Sequence, residues 1–215
     1  MKVLLVGEGA HEGTPGEDGD ERQGALKEIV RRLNDQLEVQ RFEYVKTIKR
    51  LPRKRKAGAM GLHGKGMYGM AMQWVLYAEE NGYDALIFVV DQDKDTERSK
   101  QLTQAQEETA VGLPRALGVA IRAFDAWILA DQQALSKVLG YNVQQQPAPE
   151  TIKEPKEECE RLRDESPSSL RLRKMYKEVL ASAEVEVLEK RCPDGFAPFA
   201  KRVERLNAGE RMDRP

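Results

Sequence analysis

The chain alternates two kinds of apolar pattern. KVLLVG (2–7) is a short continuous run rich in branched residues that stops at glycine and charge, as a central strand buried on both faces does. In ERQGALKEIVRRLND (21–35), Ala25, Leu26, Ile29, Val30 and Leu33 recur at helical spacing. LEVQRFEYVK (37–46) sets Val39, Arg41, Glu43 and Val45 against Gln40, Phe42 and Tyr44, which predicts a second strand. A basic, glycine-rich stretch of little periodicity follows, KRLPRKRKAGAMGLHGKG (49–66). Next, MYGMAMQWVLYAEENG (67–82) predicts a helix stopped by Gly82, and YDALIFVVD (83–91) is the strongest strand in the chain. TERSKQLTQAQEETAVG (96–112) reads as a polar helix, and GVAIRAF (118–124) as a fourth strand running directly into a helix, DAWILADQQALSKVLG (125–140).

Strand and helix thus alternate, which predicts an α/β domain: a mainly parallel, Rossmann-like sheet of about four strands flanked by helices. Beyond it the pattern changes. QQQPAPETIKEP (144–155) is a proline-marked connector, and EECERLRDES (157–166), SLRLRKMYKEVLASAEVEVLEKR (169–191) and FAPFAKRVERLN (196–207) alternate apolar and charged positions as helices packed on a larger body do. The reading is therefore an α/β domain over 1–143 and a helical C-terminal extension over 144–215, with GERMDRP a frayed end.

Composition narrows the class. With 215 residues, 40% apolar and 33% charged, the chain is long enough for a real core under a highly charged surface. The net charge of −1 names no partner, but its distribution is uneven. Acid concentrates at Glu8, Glu12, Glu17, Asp18, Asp20 and Glu21, and base at Lys46, Lys49, Arg50, Arg53, Lys54, Arg55 and Lys56. No apolar run approaches the length that crosses a bilayer, and MKVLLVGEGA is too short in its apolar part for a secretory signal. Two cysteines, Cys159 and Cys192, form neither a disulfide scaffold nor a zinc pattern, so the expected setting is a reducing cytoplasm.

Candidate chemistry sits at two strand ends. In open parallel sheets, ligands bind beyond the carboxyl ends of the strands where strand order reverses. VGEGAHE puts Glu8 at the end of the first strand; DQDKD puts Asp91 and Asp93 at the end of another and, if the backbone stays extended, on one side of it. Carboxylates converging there repel unless a cation joins them, and oxygen ligands of this kind suit Mg2+ or Mn2+ completed by substrate phosphate. Asp95 extends the acidic run as a further candidate ligand. Each motif alone also fits a solvated turn; their joint placement favours metal.

A first strand ending in Glu-Gly, together with a later apolar strand ending in D-x-D, resembles the Toprim domain of topoisomerases, bacterial primases, recombination proteins and OLD-type nucleases. Within it the chain looks most like the small standalone family called domain of unknown function 4276, through VGEGAHE, FVVDQDKD, AIRAFDAWILADQQAL and RCPDGFAPFAKRVERL. The resemblance implies a Toprim/Rossmann-like fold, Glu8 as general acid or base or near the metal, and Asp91 and Asp93 as the metal-binding pair. It also implies a metal or supporting role for Asp125, which stands where relatives usually have glutamate, and a partner ATPase of the kind found in phage-defence modules. The insert GTPGEDGDE after Glu12 departs from the pattern and leaves the role of Glu12 open.

Arg53, Lys54, Arg55, Lys56 and Lys65, interleaved with Gly58, Gly61, Gly64 and Gly66, read either as a solvated loop or as contacts to DNA or RNA phosphates. HGKG lacks the spacing of a Walker A loop. His63 is a lone loop histidine and His11 lies nearer the proposed site; Trp74, Trp127 and Cys192 read as core. The expected function is metal-dependent phosphoryl transfer on nucleic acid, as a Toprim-type nuclease or nuclease subunit, with room for a homo-oligomer. The alternative is a non-catalytic nucleic-acid-binding or assembly subunit with a structural metal. A receiver-like phosphoacceptor domain is a weaker third, because no later strand offers the expected threonine and lysine.

Overall fold

The computed structural model describes residues 1–17, 24–47 and 66–207. Its strands are β1 (Lys2–Gly7), β2 (Gly16–Glu17), β3 (Glu38–Tyr44), β4 (Ala85–Asp91) and β5 (Arg115–Ala120), in the spatial order β2-β3-β1-β4-β5. The four longer strands are all parallel; the two-residue β2 pairs antiparallel with β3 at Gly16–Phe42 and Glu17–Arg41. The fold is the expected α/β, Rossmann-like sheet flanked by helices. The β2 edge pairing had no counterpart in the apolar pattern, because two residues are too few to show a period.

Side chains alternate across the sheet, so each strand supplies two cores. Leu4, Val6, Leu86, Phe88, Val90 and Leu117 face one layer, and Val3, Leu5, Ile87, Val89 and Ala116 the other. Helix α1 (Ala25–Leu33) covers the second face, and α2 (Gly66–Glu80) and α3 (Glu97–Glu107) the first. The remaining helices return to the side of α1: α4 (Asp125–Ile128), α5 (Gln132–Leu139), α6 (Pro155–Asp164), α7 (Leu172–Ser182), α8 (Val185–Arg191) and α9 (Phe196–Glu204). Trp74, Trp127 and Cys192 are core residues, as expected. Among the described residues no helix is long and apolar enough to cross a membrane.

Three element boundaries differ from the sequence reading. The strand expected at 118–124 starts at Arg115 and stops at Ala120. Arg115 looked polar, yet it is buried, with its Nε donating to the carbonyl of Gln106 and its Nη2 to that of Glu108. Arg122, at φ 65°, turns the chain out of the sheet. The helices expected over 125–140 and 169–191 both break, and one buried residue marks both breaks. Asp131 accepts from Gln133 N (2.9 Å) and Ala134 N (3.1 Å) through Oδ1, starting α5, and from Glu184 N (2.9 Å) through Oδ2, at the start of α8.

The C-terminal helices meet the sheet closely at Gly118. A Cβ there would lie 2.7 Å from the ring of Phe199, which stacks on Trp127 at a centroid distance of 5.3 Å. Gly118→Ala is expected to destabilise by about 1–3 kcal/mol through overpacking. Thermal melting checks this: a drop of several degrees is expected, and an unchanged midpoint would show that α9 yields freely.

Candidate functional site

The chain passes from β1 through α1 to β3 on one side, then through α2 to β4 on the other side of β1. Strand order therefore reverses between β1 and β4, and the crevice beyond their carboxyl ends is where this architecture binds ligands. Glu8 leaves β1 and Asp91 ends β4 at that crevice. Glu8 Oε2 accepts from Asp91 N at 3.0 Å, tying the two strand ends together.

The loop after β1 is held by a residue whose role the sequence left open. Glu12 is only 3% exposed and turns its carboxylate back onto the chain, accepting from Glu8 N at 2.9 Å and Gly9 N at 2.8 Å. Its own carbonyl accepts from Leu26 N at 3.1 Å, joining this loop to α1. A Cβ on Gly7 would fall 2.3 Å from Glu12 Oε2, so the tight exit needs glycine. Burial above all, and then the charge of Asp91, push the Glu12 carboxyl well above the usual range, against the pull of the two amides.

Asp91 is similarly perturbed. Its Oδ1 accepts from Phe124 N at 2.7 Å, but burial, with the charges of Glu8, Asp125 and Asp93, raises its pKa to about 7. The backbone does not stay extended beyond it. Asp93 takes φ 51°, and its amide donates to Arg122 O at 3.0 Å, so a left-handed turn rather than strand alternation brings its carboxylate to the mouth. Asp95 Oδ1 accepts from Glu97 N at 3.1 Å at the entry to α3. The side chains of Asp93 and Asp95 are 59% and 55% exposed.

Arg98, in the first turn of α3, supplies the positive charge. Its Nη1 donates to Asp91 O and lies 3.4 Å from Glu8 Oε2 and 3.2 Å from Asp93 Oδ2, while Nε lies 3.9 Å from Asp95 Oδ2. Asp125 stands behind Asp91, buried, with its Oδ1 taken by the hydroxyl of Tyr176. The ring of Tyr176 packs 5.1 Å from His11, whose buried Nδ1 has no hydrogen-bond partner among the described residues; burial chiefly lowers the His11 pKa.

The structure thus gathers Glu8, Asp91, Asp93 and Asp95 around one guanidinium and puts Asp125 at their back. Arg53, Lys54, Arg55, Lys56, Lys65 and His63 lie outside the described residues. Sequence reading missed Arg98 and gave Glu12 no role. The three-residue step from Asp95 to Arg98 across the start of an expected helix was the available sign of the first, and the four-residue step from Glu8 to Glu12 of the second.

Among the described residues no three His, Cys, Asp or Glu side chains converge closely enough to hold a metal ion as placed. The donor chemistry nevertheless fits one. The cluster is all oxygen and carries more negative charge than Arg98 balances; the Asp91 carboxyl, raised above all by burial, is raised further by the charges of Glu8, Asp125 and Asp93. Compared with protein-family models, curated proteins and solved structures, the chain matches none.

Proposed function

We propose that the chain performs divalent-metal-dependent phosphoryl transfer on nucleic acid, in its simplest form phosphodiester hydrolysis by a nuclease. The observation that supports it is the excess of carboxylate at the β1–β4 crevice, with Glu8 locked to the Asp91 backbone. Asp91 and Asp93 would hold Mg2+ or Mn2+, which when bound polarises a phosphate oxygen and acidifies water. Glu8, fixed through Oε2, takes the proton of the attacking water on Oε1. Asp125, held by Tyr176, keeps Asp91 in place through α4, whose preceding amide at Phe124 grips the Asp91 carboxylate. Arg53, Lys54, Arg55, Lys56 and Lys65 supply the contacts to phosphates flanking the scissile one.

Incubation of purified protein with DNA and with RNA tests the reading. Cleavage is expected with Mg2+ or Mn2+ and should stop on chelation, and Glu8→Gln should slow it by about 10²–10⁴. A second reading, a non-catalytic binding module, is favoured by one feature, the ion pairs that Arg98 already makes with Glu8 and Asp93. Wild-type protein that cleaves neither nucleic acid and gains no thermal stability from Mn2+ would replace the first reading by the second.

A further inference from the structure

We infer that Arg98 is a substrate-binding residue, its guanidinium resting on the carboxylates until metal takes them and then turning to the phosphodiester. The inference rests on the metal-dependent reading above and names a residue that neither the D-x-D motif nor the first-strand glutamate supplies.

The contacts of Arg98 are crowded and, toward the carboxylates, long. Nη1 has two protons and faces three acceptors: Asp91 O, Glu8 Oε2 at 3.4 Å and Asp93 Oδ2 at 3.2 Å. Charge-assisted bonds between nitrogen and carboxylate settle near 2.7–2.9 Å, so these two carboxylate contacts are loose, and the one at 3.9 Å to Asp95 is looser still. A single positive charge is shared among the carboxylates of Glu8, Asp93 and Asp95. A divalent ion brings twice that charge and ligand bonds of about 2.1 Å, so it wins the same oxygens and repels the guanidinium from them.

Where the freed side chain goes follows from its root. Arg98 sits in the first turn of α3, an eleven-residue helix that begins at this crevice, and its side chain is already 18% exposed there. The positive end of α3 and a planar guanidinium then face the mouth together, and a phosphodiester oxygen is the anion that both favour. A structural strut would behave oppositely: removing it would loosen the strand ends and weaken every ligand.

Titration of Mn2+ alone into wild type, Arg98→Ala and Arg98→Lys, followed by the electron paramagnetic resonance of free Mn2+, separates these roles. A second titration, in saturating Mn2+, measures binding of a cleavage-resistant phosphorothioate oligonucleotide by fluorescence anisotropy. Arg98→Ala should bind Mn2+ roughly tenfold tighter and the oligonucleotide roughly tenfold weaker, the loss expected for one hydrogen-bonded charge. Arg98→Lys, which keeps charge but not the planar fork, should move the same way by less, and it carries the test should the alanine variant fail to fold. Wild type that binds Mn2+ while folded variants bind it equally or more weakly overturns the inference alone. Failure of all three folded proteins to bind Mn2+ overturns the metal-dependent reading and this inference with it.

Discussion

In metal-free buffer the wild-type melting temperature will fall as pH rises through the window from about 4 to about 7, and Asp91→Asn will reduce that slope. The folded protein raises the Asp91 pKa from 3.8 to about 7, mainly by burial and then through Glu8, Asp125 and Asp93. Between those values the folded state holds a proton that the unfolded state has released. Its stability is therefore full below the unfolded value and is lost as pH climbs through the folded one. The loss attributable to Asp91 is on the order of 4 kcal/mol by pH 8, or roughly 10 °C for a protein of this size. Glu12, shifted in the same direction chiefly by burial and then by Asp91, adds to the wild-type slope, and the part due to burial persists in the variant.

Asparagine preserves the fold because its side-chain oxygen still accepts from Phe124 N. The variant should accordingly melt higher than wild type at pH 8 without metal, and it should lose both the thermal gain from Mn2+ and cleavage, since an amide is a poor ligand for a hard cation. Calorimetry across the pH series provides the check; parallel wild-type and variant curves would mean that Asp91 does not carry the surplus charge.

The second large effect belongs to Glu12. Glu12→Ala removes the acceptor of two amides in a buried loop, and leaving both unpaired is expected to cost about 2–4 kcal/mol. Glu12→Gln keeps one acceptor and sets an N–H donor against the other amide, so it should fall about midway. Urea denaturation measures both. A Glu12→Ala variant within about 0.5 kcal/mol of wild type would show that water replaces the carboxylate without loss. Because those amides belong to Glu8 and Gly9, the alanine variant should also slow the proposed cleavage.

The parts of this molecule legible from sequence are those in which one physical requirement dominates. β1 and β4 are buried on both faces and appear as unbroken apolar runs, and their ends located Glu8 and Asp91 directly. Illegible features came from polar groups satisfied by distant backbone. Arg115 opens β5 because carbonyls of the preceding segment accept its protons, a compensation with no local sign. Apolar spacing runs on through WILADQQAL, so nothing in the period marked Asp131 as the cap of α5 and the acceptor for an amide at the distant start of α8. Arg98 sat in a helix polar all round, where a basic residue is unremarkable until β1 supplies Glu8 beside it. The sequence put Asp91 and Asp93 on one side of the strand only for an extended backbone, whereas Asp93 sits in a left-handed turn whose amide donates to Arg122 O.

The seating of α9 on β5 bears on how the chain is made. Phe199 closes over Gly118, Arg202 donates to the carbonyl of Leu117, and α7 lies across α1. One entire face of the sheet is therefore roofed largely by residues that leave the ribosome well after every strand has been synthesised. Until they emerge, Val3, Leu5, Ile87, Val89 and Ala116 have only α1 and the nearest helices for cover. A nascent chain paused before residue 196 presents an apolar sheet face to its surroundings, the kind of surface that holdase chaperones bind.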